Sequence, residues 1–280
     1  HVDRWEMFKV VMPLLQEGSE ALALPALGSF LWSDHAMPSL MDTRLSNEAL
    51  LQAIRHLCWT PGPGDTVLAV DWKNMGSEEL GSIYESLLEL IPAVTIGADE
   101  PFRLIAQAGN ERKGTGSYYT PTPLIASLLD TALEPVLDEA VKGKTSEDAI
   151  RALLNLKVCD PSCGSGHFLV AAAHRIARRL AAIETGEAEP APNALRSALR
   201  RVIARCVYGV DLNPMSVELC KVALWMEALE PGKPLSFLDH HIKCGNSLLG
   251  AVPALIADGI PNEAFNPVTG DDPELCRTLK

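Results

Sequence analysis

Over the first hundred residues apolar side chains recur mostly at helical spacing, and beyond residue 150 they gather into short blocks that alternate between two periods. The spacing predicts helices over Asn47 to Cys58 and Ser77 to Leu90. The second is entered through Ser77 as N-cap, with Glu78 and Glu79 in the first turn, where carboxylates complement the helix dipole. Thr66 to Val70 reads as a short strand, and Ala108 to Gly116 as a loop or hinge. A long helix follows Pro121 and runs through Leu133.

An alternation of element types comes next. Strand Leu156 to Cys159 leads into helix Phe168 to Ala182, a polar loop at Thr185 to Asn193 and helix Ala194 to Ala204. Strand Cys206 to Val210, helix Met215 to Leu229 and strand Ile242 to Cys244 complete the series. This is the βαβαβ order of a parallel, doubly wound sheet, so the fold class is α/β. The expected division is a mainly helical region over residues 1–110 and a sheet-bearing part over 111–280.

Composition narrows the chemistry. Of 280 residues 47% are hydrophobic and 21% charged, which excludes a disordered chain. The apolar runs are too short and interrupted to span a bilayer, and Asp3, Arg4 and Glu6 break any leader-like core, so a cytoplasmic protein without membrane association is expected. With 24 basic against 36 acidic residues the net charge is −12, the wrong sign for a surface that binds phosphate backbones across its whole face. The seven cysteines are scattered and never spaced CxxC, which points to neither a disulfide framework nor a zinc finger. His240, His241 and Cys244 do not make a metal site on this reading, because adjacent strand residues point to opposite faces. With His1 in place of methionine, a tag remnant or a piece of a longer polypeptide is expected.

The chemistry concentrates in VCDPSCGSGHFLV, Val158 to Val170. An apolar strand ends at Asp160 and Pro161, and Gly164 and Gly166 line the turn before a helix, letting backbone N–H groups approach a ligand that a Cβ would hold off. A carboxylate at the strand end would repel a pyrophosphate but suits a cationic, hydroxyl-bearing ligand, which favours S-adenosylmethionine over NAD or ATP. The third glycine of a dinucleotide fingerprint is missing, its place taken by Leu169. In YGVDLNP, Tyr208 to Pro214, Asp211 at the end of the next strand can take two ribose hydroxyls while Asn213 caps the following helix. Its replacement by alanine is expected to remove cofactor affinity with little change in stability. In IKCGNSLLG, Ile242 to Gly250, Asn246 can read an adenine amino group. In RKGTGSYYTP, Arg112 to Pro121, paired tyrosines and a helix start can lie over the ligand's carboxylate end.

Taken in order, GSYYTP, DPSCGSGHFL, GVDLNP and GNSLLG resemble the amino-group DNA methyltransferases. The likeness is to those fused into single-chain type IIG restriction-modification enzymes and to the related BREX-type phage-exclusion methylases. LGSIYESLLEL, Leu80 to Leu90, also resembles a helical signature that precedes their methyltransferase fold. The resemblance implies a Rossmann-like fold of which this chain holds strands 1 to 3, and adenine-N6 methylation of double-stranded DNA with the target base flipped out. Site residues follow by resemblance. Tyr119, Thr120 and Pro121 contact the methionine part of S-adenosyl-L-methionine, and Asp160, Cys163, Gly164 and Gly166 line its amino-acid end with Phe168 behind. Asp211 binds the ribose, Leu212 lies on the adenine face and Asn246 meets the adenine edge.

The family's catalytic tetrapeptide, Asn or Asp followed by two prolines and an aromatic residue, has no match. FNPVTG at Phe265 to Gly270 lacks the second proline and the aromatic. The chain is therefore expected to bind cofactor without methylating anything alone, to meet DNA mainly through regions beyond it, and to self-associate through an open sheet edge. The alternatives are an RNA or protein-glutamine methyltransferase and a non-catalytic cofactor-binding scaffold of the same fold, with a nucleotide-dependent oxidoreductase behind them.

Overall fold

The computed structural model describes residues 1–36, 38–72, 74–87, 90–95, 102–106, 120–229, 236–248, 262, 266–267 and 272–279. The chain divides into two compact units, His1–Gly245 and Asn246–Lys280.

In the first unit helix α1 (Asp3–Glu17) is held to α3 (Asn47–Cys58), with the single turn α2 (Pro38–Met41) between them in sequence. The Asn47 side-chain amide donates to Asp3 and its oxygen accepts the Arg4 N–H, while the Trp5 indole N–H donates to the Thr43 carbonyl at 2.9 Å. Ser46 caps α3 by accepting the Ala49 N–H, as expected of a serine before a helical apolar stripe. The predicted Thr66–Val70 strand is present as β2 (Val67–Ala69), paired antiparallel with β1 (Trp59–Pro61). After α4 (Ser77–Leu87) comes a second antiparallel ribbon, β3 (Leu90–Val94) with β4 (Phe102–Ala106), in a region whose spacing predicts helix. Leu90 thus opens a strand instead of closing the helix. The Ala108–Gly116 loop lies outside the described residues.

The expected long helix after Pro121 is two helices, α5 (Thr122–Ala132) and α6 (Glu134–Val141), with Pro135 near the start of the second. Proline is tolerated in a first turn, where its missing N–H would have no partner in any case. A further helix beyond those the spacing predicts, α7 (Ser146–Asn155), is capped by Thr145, whose hydroxyl accepts the Asp148 N–H and donates to the Asp148 carboxylate. Its Leu153 and Leu154 are buried.

The parallel sheet contains β5 (Val158–Asp160), β6 (Val207–Asp211) and β7 (Ile242–Cys244) in that order, with Asp160 opposite Gly209 and Asp211 opposite Cys244. Helices α8 (His167–Thr185) and α9 (Pro192–Cys206) connect the first pair, and α10 (Pro214–Glu227) leads toward the third strand. Along β6, Val207, Gly209 and Asp211 are buried and the residues between them half-buried, the period of two that directs one face into the core. Leu153, Leu169, Ile176, Leu180, Val202 and Leu224 fill that core. Arg175 pairs with Asp130 and Glu134, and Arg179 with Glu134 and Asp138, which ties α5 and α6 to α8. Among the described residues no helix is long and apolar enough to cross a membrane. In the second unit, Asp272 accepts the N–H groups of Glu274 and Leu275 at the start of α11 (Pro273–Leu279).

Candidate functional site

The parallel register sets Asp160 and Asp211 at the carboxyl ends of neighbouring strands, the edge where open α/β sheets bind ligands. The turn after β5 is held against β6. The Cys163 N–H donates to the Val210 carbonyl at 2.9 Å, and the Gly164 N–H donates to Asp211 Oδ2 at 2.8 Å. Gly164 and Gly166 take φ of +52° and +93°, left-handed values that side chains with a Cβ adopt at a cost. Their surroundings differ. A Cβ on Gly166 would come 2.8 Å from Cys220 Sγ, so this glycine is closely backed, whereas one on Gly164 would meet nothing within 4 Å and the turn stays open on that side.

Above the turn lies a cleft of about 540 Å³. Its polar rim includes Asp160, Ser162, Gly164 and Asp211, and its apolar wall includes Leu133, Val136 and Phe168. Asp160 Oδ1 accepts the Ser162 N–H. Burial raises the Asp160 pKa, the Ser162 amide opposes that, and the neighbouring Asp211 charge adds to it. Two carboxylates sharing one rim favour a cation over an anion. An open-sided glycine turn, that carboxylate pair and an apolar wall fit the sulfonium, ammonium and hydroxyl groups of S-adenosylmethionine and suit a phosphate poorly.

Of the residues singled out by sequence, Thr120, Asp160, Cys163, Gly164, Phe168 and Asp211 line this one cleft. Gly166 shapes the turn from below as the residue before α8, and Pro121 precedes α5. The Cys163 thiol is turned inward, 95% buried and 3.0 Å from where a Cβ of Gly209 would stand, so only its backbone side can meet a ligand. It also hydrogen-bonds with the Cys220 thiol, which together with burial raises the Cys220 pKa. Leu212 is exposed. Asn246 opens the second unit and accepts the Leu248 N–H in its own turn. Tyr119 lies outside the described residues.

One expectation is corrected. Asp211 is buried and both its oxygens serve the protein, Oδ2 through Gly164 and Oδ1 through the Asn213 N–H at 2.9 Å, so its loss costs stability as well as any ligand contact. Asn213 caps α10 as anticipated, accepting the Met215 N–H. Tyr84 on α4 also lines the cleft and was not foreseen as a site residue. Its only signal in sequence was its place within LGSIYESLLEL. Away from the cleft His241 stacks on Tyr208 with ring centroids 4.3 Å apart, and burial lowers its pKa. Among the described residues no cluster of His, Cys, Asp or Glu can hold a metal ion.

Residues 138–234 match the family described as MmeI, DNA-methyltransferase domain. The chain is 27% identical over 269 residues to the Methanocaldococcus jannaschii protein named as type II restriction enzyme and methyltransferase RM.MjaORFECS2P, covering 81% of this chain and 21% of that protein. It is 32% identical over 95 residues to the adenine-specific methyltransferase PglX of Streptomyces coelicolor, covering 33% of this chain and 7% of the relative. The solved structure of the type IIL restriction-modification enzyme MmeI in complex with DNA shares the fold, with a TM-score of 0.51 and 17% identity over 90% of this chain and 33% of that one. The chain thus spans about a fifth or less of the curated relatives cited. Over residues 138–234 the chain is thus similar to the MmeI DNA-methyltransferase domain, and over longer or shorter stretches to proteins named as restriction-modification and adenine-specific methyltransferases.

Proposed function

We propose that this chain is the cofactor-binding part of an S-adenosylmethionine-dependent, adenine-N6-specific DNA methyltransferase of a restriction-modification or phage-defence system. The observation that carries the reading is the pair of carboxylates on adjacent parallel strands, Asp160 and Asp211, with the glycine turn that follows Asp160 held to Asp211 by the Gly164 N–H. When bound, S-adenosylmethionine supplies an electrophilic methyl group on a sulfonium. Asp160 offers a charge-assisted acceptor to its ammonium end, and Asp211 offers its oxygens' remaining lone pairs to the ribose. Thr120, Pro121 and the preceding Tyr119 serve the methionine end, Phe168 backs the turn, Leu212 lies on the adenine and Asn246 meets its edge. The apolar wall excludes water and strengthens each of these electrostatic contacts.

In this reading residues 1–110 are the helical region and 111–280 the cofactor part, and the protein works in the cytoplasm on double-stranded DNA. The net charge of −12 leaves most phosphate contact to regions outside this chain. Among the described residues β5 is an edge strand, and self-association through that edge belongs to the same proposal.

Calorimetric titration tests the reading. The chain is expected to bind S-adenosylhomocysteine saturably, to ignore NAD, and to transfer no methyl group to duplex DNA alone. Binding of NAD in preference, or of neither compound, would overturn it.

A further inference from the structure

Helix α4 meets the glycine turn at Gly81 and the loop after β6 at Tyr84. Gly81 is buried, and a Cβ there would stand 2.6 Å from His167 Cε1 and 2.8 Å from Ser165 Oγ, so the helix backbone lies directly on the end of the turn. Three residues on, the same helical face presents Tyr84. Its hydroxyl accepts a hydrogen bond from Asn213 Nδ2 at 2.9 Å. The Asn213 N–H donates to Asp211 Oδ1 at 2.9 Å, and Asp211 Oδ2 accepts the Gly164 N–H at 2.8 Å. Three hydrogen bonds therefore connect a helix of the N-terminal region to the middle of the glycine turn.

The polarity of the first bond is decided by the cap. Asn213 Oδ1 is committed to the Met215 N–H at the start of α10, which leaves the amide nitrogen as the group facing Tyr84. A helix that needed only an apolar side chain over the cleft would be served equally by phenylalanine. The tyrosine hydroxyl is spent on the loop that carries Asp211, and without it a half-buried N–H₂ donor loses its acceptor.

From this we infer that Tyr84 is a positioning residue, acting through Asn213 to hold Asp211, and through Asp211 the Gly164 N–H, in the arrangement the cofactor meets. The inference deepens the cofactor-site reading and rests on it for its ligand, but the coupling itself is a property of the free chain. It gives α4 a role in the methyltransferase site although it precedes the sheet by some seventy residues.

Tyr84→Phe removes the hydroxyl alone, and Asn213→Ser keeps a capping oxygen while falling short of Tyr84. In the cofactor-free chain each is expected to speed amide exchange at Gly164 by roughly 5–10-fold, the factor that one hydrogen bond of ordinary net strength represents. S-adenosylhomocysteine affinity should fall by a similar factor, while the thermal midpoint moves by less than about 2 °C, and the double variant should be no worse than either single one. Unchanged exchange at Gly164 in both variants would overturn the inference, as would additive losses or an affinity loss that merely follows a falling midpoint. If the unaltered chain binds no S-adenosylhomocysteine, the cofactor reading fails, and the Gly164 exchange rates still decide the coupling.

Discussion

The two parts of the first unit are built to different standards of burial. From Ile125 to Ile242 a continuous core contains many side chains with no exposure at all, among them Leu137, Leu153, Ile176 and Leu224. Before residue 107 the buried apolar side chains are Trp5, Met12 and Leu50, while Leu51, Leu57, Val94, Phe102 and Ile105 stand half exposed or more among the described residues. Burial rigidifies, because a close-packed interior transmits strain and tolerates little volume change. The glycine turn that lines the cleft is therefore anchored in the well-packed part. α4 contributes a few directed contacts to it from the loosely packed part. Precise placement at the cleft does not require every contributor to own a core.

The largest expected effect that would break this comparison is on stability. Ile176→Ala, at a fully buried site of α8, should lower the unfolding free energy by about 2–5 kcal/mol in urea melts. Leu51→Ala, at a site 53% exposed, should change it by no more than about 0.5 kcal/mol. Equal losses would show that the N-terminal region is as tightly packed as the sheet.

Asp211→Ala comes next and sharpens the link between core and cleft. It strands the Gly164 and Asn213 N–H groups, so a cost of about 1–3 kcal/mol in the same melts is expected, together with most of the S-adenosylhomocysteine affinity. Lost affinity with unchanged stability would mean that the carboxylate serves only the ligand.

The smallest effect concerns Asp160. Its folded pKa is raised above the ordinary 3.8, chiefly by burial and further by Asp211, so the folded chain keeps this proton to a higher pH than the unfolded chain. Its contribution to stability is present in full below the ordinary value and is lost as pH rises through the raised one. Asp160→Asn should flatten that part of a pH series of melts. Binding of the cationic ligand S-adenosylmethionine should weaken on acidification through the same window. A wild-type series parallel to that of Asp160→Asn would remove Asp160 from the electrostatics of the cleft.

Much of the fold was legible because local chemistry and tertiary structure agree over residues 156–244. The βαβαβ alternation, the Asn213 cap and the glycine turn are all written in spacings of a few residues. The β3–β4 ribbon was not legible, since its strands are short and their pairing is long-range, with Leu90 opposite Ala106. Helix α7 could have been found from Thr145 and Asp148, a cap ahead of a buried leucine pair.

By itself the amino-acid sequence determined the alternation of elements over residues 156–244, the two carboxylates at strand ends and the left-handed glycines, because each depends on backbone preference or on a neighbour close along the chain. Only the tertiary structure decided that both oxygens of Asp211 are engaged, that the Cys163 thiol turns inward, that Gly81 lies on the glycine turn, and that Tyr84 reaches Asn213 beside the cleft. Apart from the local bond between Asp211 and Asn213, those facts depend on distant parts of the chain, Gly164 and Asp211 being 47 positions apart and Tyr84 and Asn213 129, brought together by burial of a shared core whose driving force has no direction and leaves no local mark in the sequence.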